Sequence, residues 1–338
     1  MDFSDRTVLV VGGAGYVGSV LVPTLLQAGA RVRVLDQLIY DNGFALAHLL
    51  DDPGLRFQRG DLRRPDDLAE AAQGATDVVL LASLVGDPIC KKYPELAREI
   101  NEDGARGIID RLDEFGVSRF VFTSTCSNYG IHTESALATE ESALNPQSLY
   151  ARTKIAVEEY LLGRSAQLSS TATVLRIATA YGLSPRMRFD LTVSQFARDL
   201  ATGASLEVYD ADTWRPYCHV RDISGAIMTV LTAPEQDVRG EVFNVGDTTQ
   251  QFTKRMIVDE VSKHLASASV TYGEGDTDPR NYRVSFEKIA QRLGFRCAYT
   301  VQDYLARLTP ALQAGIFPDV VGNHRYGNYV VAHAEPMR

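Results

Sequence analysis

Short runs of β-branched and aliphatic residues alternate with segments of helical apolar spacing through the first two-thirds of the chain. This alternation constrains the fold most strongly, because strand–helix–strand units with nearly all-apolar strands form a parallel sheet that helices cover on both faces. We therefore predict an α/β fold with a doubly wound parallel sheet. The predicted strands are residues 7–11, 31–36, 55–60, 77–83, 119–124 and 171–177. The main predicted helices are residues 17–28, 96–115 and 149–162.

The pattern becomes less regular after about residue 178, where loops containing Gly, Pro and Arg separate shorter elements. We interpret residues 1–178 as one domain, to which later segments can return. Residues 179–310 are interpreted as a smaller mixed α/β domain that faces the substrate. Residues 311–338 resemble an extended tail, which either contacts a partner or is frayed.

Composition argues against several classes of protein. A net charge of -9 on 338 residues disfavours a sequence-independent nucleic-acid binder, which would carry a basic excess. The cysteines lie far apart without metal-ligand spacing, so neither a disulfide framework nor a metal site is predicted. No apolar run reaches the roughly 18 residues of a membrane-spanning helix, and the N-terminus lacks the features of a signal peptide. We therefore expect a cytoplasmic protein that does not bind membranes.

A glycine-rich turn, VGGAGYVGS, follows the first predicted strand and opens the first predicted helix. The spacing of Gly12, Gly15 and Gly18 lets the chain turn tightly, approach a diphosphate through backbone N–H groups and pack the helix on the strand. The helix N-terminus then stabilises the diphosphate charge. Asp36 ends the second strand, where a carboxylate accepts hydrogen bonds from the adenine ribose and repels a 2′-phosphate. These features predict a dinucleotide site that prefers NAD to NADP.

Tyr150 and Lys154 lie about one helical turn apart, so their side chains share a face of the predicted helix. A tyrosine with a pKa near ~10 is a poor base, and a nearby ammonium lowers that pKa by favouring the phenolate. Tyr150 could then accept a proton from a hydroxyl while hydride leaves the same carbon. Pairs of this spacing also occur by chance on solvated helices. Thr125 favours the catalytic interpretation, because its hydroxyl ends a central strand and can orient a substrate oxygen.

Several motifs, in one order, resemble the extended short-chain dehydrogenase/reductase family that acts on nucleotide sugars. They are GGAGYVG, Asp36, GDL, LLASLVGDP, Asn101, TSTCSNYG, Tyr150 with Lys154, and WRPYCHVRD. The match extends over roughly residues 7–310. Within the family, SLVGDPICKKYPELAREIN, SPRMRFDLTVSQF and DPRNYRVSFEKI most resemble a branch of bacterial 4-epimerase-like proteins that includes GDP-heptose 4-dehydrogenases.

The resemblance implies a Rossmann domain that binds NAD. Beyond the glycines, Asp36, Tyr150 and Lys154, the implied cofactor contacts are Tyr16, Val17, Asp61, Leu62, Leu81, Ala82, Ser83 and Asn101. From the residues alone, Asp61 and Leu62 are almost equally compatible with a plain turn. The resemblance also implies a homodimer, because family members usually pair through the tyrosine-bearing helix and the helix before it. Apolar surface for such pairing is offered by Leu149, Ile155, Ala156, Tyr160 and Leu161.

In family members the tyrosine takes the proton of the sugar 4-hydroxyl and NAD takes the hydride, which gives a 4-keto sugar. In 4,6-dehydratases an Asp-Glu pair for water loss follows the threonine, and UDP-glucuronate decarboxylases resemble this pattern with a glutamate at the second position. This chain has Cys126 and Ser127 there, so both reactions are disfavoured. GDP-fucose synthases and GDP-mannose 3,5-epimerases carry a catalytic cysteine at the position of Ser127. Cys126 is one residue out of that register, so a packed thiol is its favoured interpretation.

A diphosphate-linked sugar needs cationic partners. Arg215 matches the family arginine that contacts the substrate diphosphate, and Arg280 lies near a second one. Arg186 and Arg188 are further candidates, although exposed loop arginines are common. Thr179 stands where many members have a substrate-binding asparagine, so the sugar or its phosphate is expected to be held differently here. The remaining candidate substrate contacts are Cys126 and Ser127.

The resemblance predicts NAD-dependent oxidoreduction at carbon 4 of a nucleotide-diphosphate sugar, by a 4-epimerase or a 4-dehydrogenase. Two alternatives stay open. One is a 4-ketoreductase of a nucleotide-linked keto-deoxy sugar that uses external NADPH. The other, from a different class, is a redox-inactive dinucleotide-binding sensor, which the intact Tyr150 and Lys154 disfavour.

Overall fold

The computed structural model describes residues 1–132, 136–265, 269–273, 278 and 280–334. Its strands are β1 Thr7–Val11, β2 Arg31–Asp36, β3 Leu55–Arg59, β4 Asp77–Leu80, β5 Arg119–Thr125, β6 Thr171–Ile177, β7 Thr179–Tyr181, β8 Leu206–Tyr209, β9 Trp214–His219, β10 Glu241–Val245, β11 Gln251–Thr253 and β12 Val270–Gly273. Its α-helices are α1 Gly18–Gln27, α2 Pro65–Ala72, α3 Asp87–Lys92, α4 Pro94–Arg98, α5 Ala105–Asp110, α6 Leu112–Phe115, α7 Leu149–Arg164, α8 Thr192–Ala201, α9 Val220–Thr232, α10 Glu235–Val238, α11 Lys254–Ser262, α12 Glu287–Leu293 and α13 Val301–Gln313. Short 3-10 helices cover Asn42–Leu49, Cys126–Tyr129 and His324–Tyr326, and a π-helix covers Glu99–Gly104.

The central sheet has the strand order β10-β6-β5-β4-β1-β2-β3, and every neighbouring pair in it is parallel. Every residue of β1 is buried, because helices cover both faces of the sheet. One face packs on α1 and α9 through side chains such as Leu21 and Ile227. The other packs on α2, α5 and α7 through side chains such as Leu68, Ile108 and Val157. The predicted doubly wound α/β fold is therefore confirmed.

The predicted helix over residues 96–115 is interrupted by the π-helix Glu99–Gly104 and by the break between α5 and α6. At the π-helix, Asn101 contacts the backbone of Leu84 with both of its side-chain atoms. Its Oδ1 accepts the Leu84 N–H at 2.6 Å, and its Nδ2 donates to the Leu84 carbonyl at 3.1 Å. Apolar periodicity does not distinguish this wider turn from an ordinary α-helix, so the sequence pattern missed the break.

Smaller sheets lie beyond the carboxyl ends of the central strands. β11, β9 and β7 form one sheet, and β8 pairs with β12 in another. α8, α11 and α13 pack around them through Val193, Ile257 and Leu305. β10 returns to the central sheet beside β6, so the chain crosses between the two parts. The domain limits at residues 178 and 310 stay a prediction.

The segment predicted as an extended tail is packed on the protein over much of its described length. α13 ends at Gln313, and residues 327–334 run back across the molecule to the loop after β2. The last residues of the predicted tail, 335–338, lie outside the described residues. Within the described ranges, no helix has the length and apolar character that a membrane crossing requires.

Candidate active site

A cavity of about 710 Å³ lies at the carboxyl ends of the central strands, where the strand order reverses between β1 and β4. Every residue that the sequence analysis proposed for the site lines this cavity, except Asn101 and Cys126. The central sheet supplies one wall, and β7, β9 and the loop before α8 supply the other. The fold thus brings together residues that are widely separated in sequence.

The glycine-rich turn between β1 and α1 lines one end of the cavity. Gly12 has a positive φ of 90°, and a side chain there would collide with the backbone of Ala82. A side chain at Gly18 would collide with the backbone of Gly12 and Gly13, so α1 packs directly on the turn. The N-terminus of α1 is therefore placed where backbone N–H groups can bind a diphosphate.

Asp36 lines the cavity at the end of β2. Its carboxylate accepts hydrogen bonds from the backbone N–H groups of Ala14, at 2.9 Å, and Leu38, at 2.8 Å. Burial raises the pKa of Asp36, while these hydrogen bonds and the charge of Arg186 oppose the rise. A carboxylate has several lone pairs, so Asp36 can also accept hydrogen bonds from a ribose diol.

Asp61 and Leu62 line the cavity and also form a turn, so the two interpretations of these residues are compatible. The buried Asp61 carboxylate forms an ion pair with Arg63 at 2.7 Å. Asn101 is buried behind the loop that follows β4, where it holds the backbone of Leu84. Asn101 does not line the cavity, because its polar atoms contact the protein itself, and a direct contact with the cofactor stays a prediction.

Tyr150 and Lys154 project into the cavity from the start of α7. Ser148 caps this helix and accepts the N–H of Ala151 at 3.2 Å, which places Tyr150 in the first turn. Lys154 donates from Nζ to the carbonyl oxygen of Thr123 at 2.9 Å. The same Nζ lies 5.8 Å from the centre of the Tyr150 ring. The carbonyl of β5 thus fixes the ammonium beside the tyrosine.

The charge environment of Tyr150 differs from the expectation. Burial raises the pKa of Tyr150, and the Cys90 thiol and the Asp87 carboxylate raise it further. Burial also lowers the pKa of Lys154 to about 8. The predicted lowering of this pKa by the Lys154 ammonium, and further by a cationic nicotinamide ring, therefore stays a prediction for the enzyme with its cofactor bound. A cationic nicotinamide ring in the same cavity would favour the phenolate, because an opposite charge nearby stabilises the ionised form.

Thr125 ends β5, and its Oγ1 accepts the N–H of Ser127 at 3.1 Å. The Thr125 hydroxyl lines the cavity together with Ser127, and its hydrogen can be donated to a substrate oxygen. Cys126 points the other way, into the core, where its thiol donates to the carbonyl oxygen of Arg176 at 3.2 Å. Burial raises the pKa of the Cys126 thiol well above its usual value. Cys126 is a packed thiol that does not line the cavity, as its favoured interpretation expects.

Arg215 and Arg280 meet at one carboxylate, Asp278. Arg280 makes a bidentate contact with it, at 2.7 Å from Nε and 2.8 Å from Nη2. Arg215 places Nη2 3.0 Å from the same carboxylate. Burial opposes ionisation of Asp278, but hydrogen bonds and charge from Arg280 and Arg215 hold its pKa below its usual range. A substrate diphosphate at these arginines would therefore share them with Asp278.

Sequence reasoning missed Asp87 and Asp278, which both line the cavity. Asp87 lies 3.1 Å from Nη1 of Arg280 through Oδ2, and its Oδ1 has no hydrogen-bond partner in the part of the chain that the structure describes. The motifs LVGDP and DPRNYRV contain both acids, so they were visible as candidates. Their pairing with the arginines was not visible, because it joins distant parts of the chain.

Arg186 lies at the cofactor end of the cavity. Only 1% of its surface is exposed, and its guanidinium lies 5.2 Å from the centre of the Tyr40 ring. Its Nη2 donates to the Gly327 carbonyl at 3.0 Å, whereas its Nη1 has no partner among the described residues. Burial lowers the pKa of Arg186 to about 10. The charge of Arg186 lowers the pKa of Asp36, so Arg186 can also act at the expected ribose site, and its contact with the substrate diphosphate stays a prediction.

Arg188 and Thr179 occupy other parts of the wall. Arg188 is buried and makes a bidentate contact with Asp190, at 2.9 Å and 2.6 Å. Its charge is therefore already neutralised within the protein. Thr179 begins β7 and is half-buried at the cavity surface, beside the end of β6. Its hydroxyl can contact a ligand, with fewer hydrogen bonds than an asparagine would make.

A glycine-rich diphosphate turn, a ribose-facing carboxylate and a tyrosine–lysine–threonine set in one cavity define a dinucleotide-dependent oxidoreductase site. Residues 8–246 match the NAD dependent epimerase/dehydratase family, and the chain belongs to that family. The expected membership among extended short-chain dehydrogenase/reductase enzymes of nucleotide sugars, and the expected cofactor NAD, are confirmed.

Individual relatives include both epimerases and dehydratases. The chain is 28% identical over 309 residues to a UDP-glucose 4-epimerase of Corynebacterium glutamicum, which covers 86% of this chain and 91% of the relative. A dTDP-glucose 4,6-dehydratase from Streptomyces venezuelae, solved with NAD bound, has a TM-score of 0.80 and 27% identity, covering 90% of this chain and 96% of that one. A UDP-glucose 4-epimerase from Thermus thermophilus in complex with NAD has a TM-score of 0.77 and 27% identity, covering 91% and 99%.

Proposed function

We propose that this enzyme carries out NAD-dependent oxidoreduction at carbon 4 of a nucleotide-diphosphate sugar through a 4-keto sugar, as a 4-epimerase or a 4-dehydrogenase. The observation that carries the proposal is the placement of Thr125, Tyr150 and Lys154 on one cavity beside the glycine-rich turn. This arrangement supplies a proton acceptor, a fixed cation and a hydroxyl donor at the site where a dinucleotide would lie.

The proposed proton path begins at the sugar 4-hydroxyl. Thr125 donates a hydrogen bond that orients the sugar oxygen, and Tyr150 accepts the hydroxyl proton as the C–O bond becomes a carbonyl. Lys154, held by the Thr123 carbonyl, stabilises the negative charge at Tyr150. NAD, when bound, accepts the hydride from the same carbon. The sugar loses one proton and one hydride, so the step balances without a further reactant.

The residues after Thr125 support oxidoreduction without loss of water. Cys126 is buried with its thiol on a backbone carbonyl, and Ser127 presents a hydroxyl to the cavity. Neither is a carboxylic acid that could protonate a leaving hydroxyl. For this reason we favour 4-epimerase or 4-dehydrogenase chemistry, although the relatives named above include a dehydratase.

The test uses a variant of Tyr150 with a matched tyrosine on the same helix. Wild type, Tyr150→Phe and Tyr160→Phe are incubated with a panel of nucleotide-linked hexoses and heptoses. Products are followed by NMR and mass spectrometry, and NADH by absorbance at 340 nm. We expect Tyr150→Phe to bind NAD as wild type does and to lose at least about a thousandfold in turnover, because the proton acceptor is gone. Tyr160 lies outside the cavity, so Tyr160→Phe should keep wild-type turnover. A fully active Tyr150→Phe enzyme would contradict the proposal.

The oligomeric state and location belong to the same proposal. We propose a homodimer that pairs through α7 and the helices before it, in the cytoplasm. On α7, Ile155, Ala156 and Tyr160 remain half-buried in the single chain and offer apolar surface, whereas Leu161 is buried in the chain's own core. Sedimentation equilibrium tests the dimer: a mass of one chain at micromolar concentration would contradict it.

A further inference from the structure

The C-terminal segment, residues 327–334, is attached at its beginning to α8 and to the loop between β7 and α8. The Gly327 carbonyl accepts a hydrogen bond from Nη2 of Arg186 at 3.0 Å. The backbone N–H of Asn328 donates to Oδ2 of Asp190 at 3.1 Å. Tyr329 accepts a hydrogen bond at its hydroxyl from Nη1 of Arg198, at 3.3 Å. These contacts fix the start of the segment beside the loop that leads into α8.

Further along, the same segment is attached to loops that follow strands of the central sheet. The Asn328 side chain donates from Nδ2 to the Val85 carbonyl at 3.0 Å, in the loop after β4. The Ala332 N–H donates to the Ile39 carbonyl at 2.8 Å, in the loop after β2. Arg63 donates from Nη2 to the carbonyl of Ala334 at 3.0 Å. The segment therefore connects α8 and the loop before it with the loops of the central sheet.

These attachment points surround the expected position of the adenosine. Ile39 follows Asp36, the residue placed for the ribose, and Arg63 is paired with Asp61, which lines the cavity at the adenine end. Asn328 and Tyr329 themselves line the cavity. Val331 packs against the buried apolar cluster that includes Leu84 and Ile89, as Ile39 does, so apolar contact adds to the hydrogen bonds. A dinucleotide in this cavity would lie partly beneath the segment.

We propose that the C-terminal segment is a wall of the cofactor site that keeps NAD resident during turnover, with Asn328 as its central positioning residue. The inference rests on the proposed function and deepens it. A cofactor that leaves slowly is available to return its hydride to the 4-keto sugar, which is what an epimerase needs. A dehydrogenase that releases its keto product must instead exchange NADH for NAD after each turnover.

The experiment measures how fast NAD leaves the protein. Wild type, Asn328→Ala, a chain ending at Tyr326 and two controls are loaded with radiolabelled NAD and chased with excess unlabelled NAD. One control is Val330→Ala, because the Val330 side chain is 48% exposed and does not line the cavity. The other is a chain ending at Ala334, which retains every described contact of the segment. Circular dichroism and thermal unfolding establish that each variant is folded.

We expect wild type and both controls to retain NAD through gel filtration. Asn328→Ala should release it at least about tenfold faster, and the chain ending at Tyr326 faster still. Val330→Ala should keep the wild-type rate of NADH formation in a single turnover at saturating NAD, because Val330 does not line the cavity. If the shorter chain does not fold, Asn328→Ala decides the result.

Three results would overturn the inference in distinguishable ways. Equal NAD release from wild type and Asn328→Ala, with catalysis present in both, rejects the role of the segment and leaves the proposed function standing. Rapid NAD exchange in wild type together with active catalysis also rejects it, and favours a dehydrogenase. Failure of every form to bind NAD rejects the segment's role and the proposed function together.

Discussion

Lys154 donates its ammonium hydrogen bond to the Thr123 carbonyl at 2.9 Å, while the same nitrogen lies 5.8 Å from the centre of the Tyr150 ring. The lysine is therefore fixed by the sheet, and its position beside the tyrosine does not depend on a bound ligand. Burial of this ammonium has a cost, since it lowers the pKa of Lys154 to about 8.

That shift predicts how stability depends on pH. Below about pH 8 the folded and unfolded chains both hold the proton, and the folded state carries the whole cost of the buried charge. Between pH 8 and 10.5 only the unfolded chain holds it, so stability rises with pH. We expect wild type to gain up to roughly 3 kcal/mol relative to Lys154→Met across this window. Urea unfolding of both proteins at several pH values measures the difference, and parallel curves would show that Lys154 has an unshifted pKa.

Arg186 is predicted to bind the cofactor. Its Nη1 has no partner among the described residues, and the guanidinium lies beside Asp36 and Tyr40. A charged hydrogen bond is worth about 1.5–3 kcal/mol, so Arg186→Met should weaken NAD binding by about 10- to 100-fold. Calorimetric titration with NAD measures the affinity, with exposed Arg56→Met as the control. A raised KM for the nucleotide sugar with unchanged NAD affinity would instead place Arg186 at the substrate.

Asp278 forms ion pairs with the two arginines that a substrate diphosphate would need. Removing its charge with Asp278→Asn should loosen Arg215 and leave Arg280 paired with Asp87 alone, so we expect tighter binding of a nucleoside diphosphate by several-fold. Trp214 is the single tryptophan and precedes Arg215, so its fluorescence can report binding of UDP or GDP. Weaker binding in the variant would show that Asp278 orients the arginines for the phosphates.

Glu158 stabilises β5, the strand that ends at Thr125, and the turn that follows it. Its carboxylate forms a buried ion pair with Arg176 at 2.7 Å and accepts hydrogen bonds from Ser124 and Asn128. Glu158→Gln leaves Arg176 buried without its counter-charge, so we expect a loss of about 3–5 kcal/mol in the free energy of unfolding. The neighbouring exposed Glu159→Gln should change it by less than about 0.5 kcal/mol. Chemical unfolding of the two variants makes the comparison, and equal stabilities would mean that solvent screens the pair.

Local patterns in the sequence predicted the central sheet apart from β10, the glycine-rich turn and the tyrosine-bearing helix, because each depends on residues close together in the chain. Contacts between distant segments were not predictable in this way. Asn101, in the π-helix, binds the backbone of Leu84. Arg215 and Arg280 both form ion pairs with Asp278, and the C-terminal segment donates a hydrogen bond to the Ile39 carbonyl. The position of a motif placed Arg186 among the candidate substrate contacts, and its packing against the Tyr40 ring was not visible in the sequence.

The most direct test of hydride transfer at carbon 4 is an isotope measurement. The nucleotide sugar that the panel identifies is prepared with deuterium at carbon 4 and incubated with wild-type enzyme and NAD. Mass spectrometry then locates the deuterium in the nicotinamide ring, the sugar and the solvent. We predict that it is found only in the reduced nicotinamide or back at carbon 4 of the product. Deuterium released into water, or retained untouched while another carbon reacts, would contradict transfer of hydride from carbon 4.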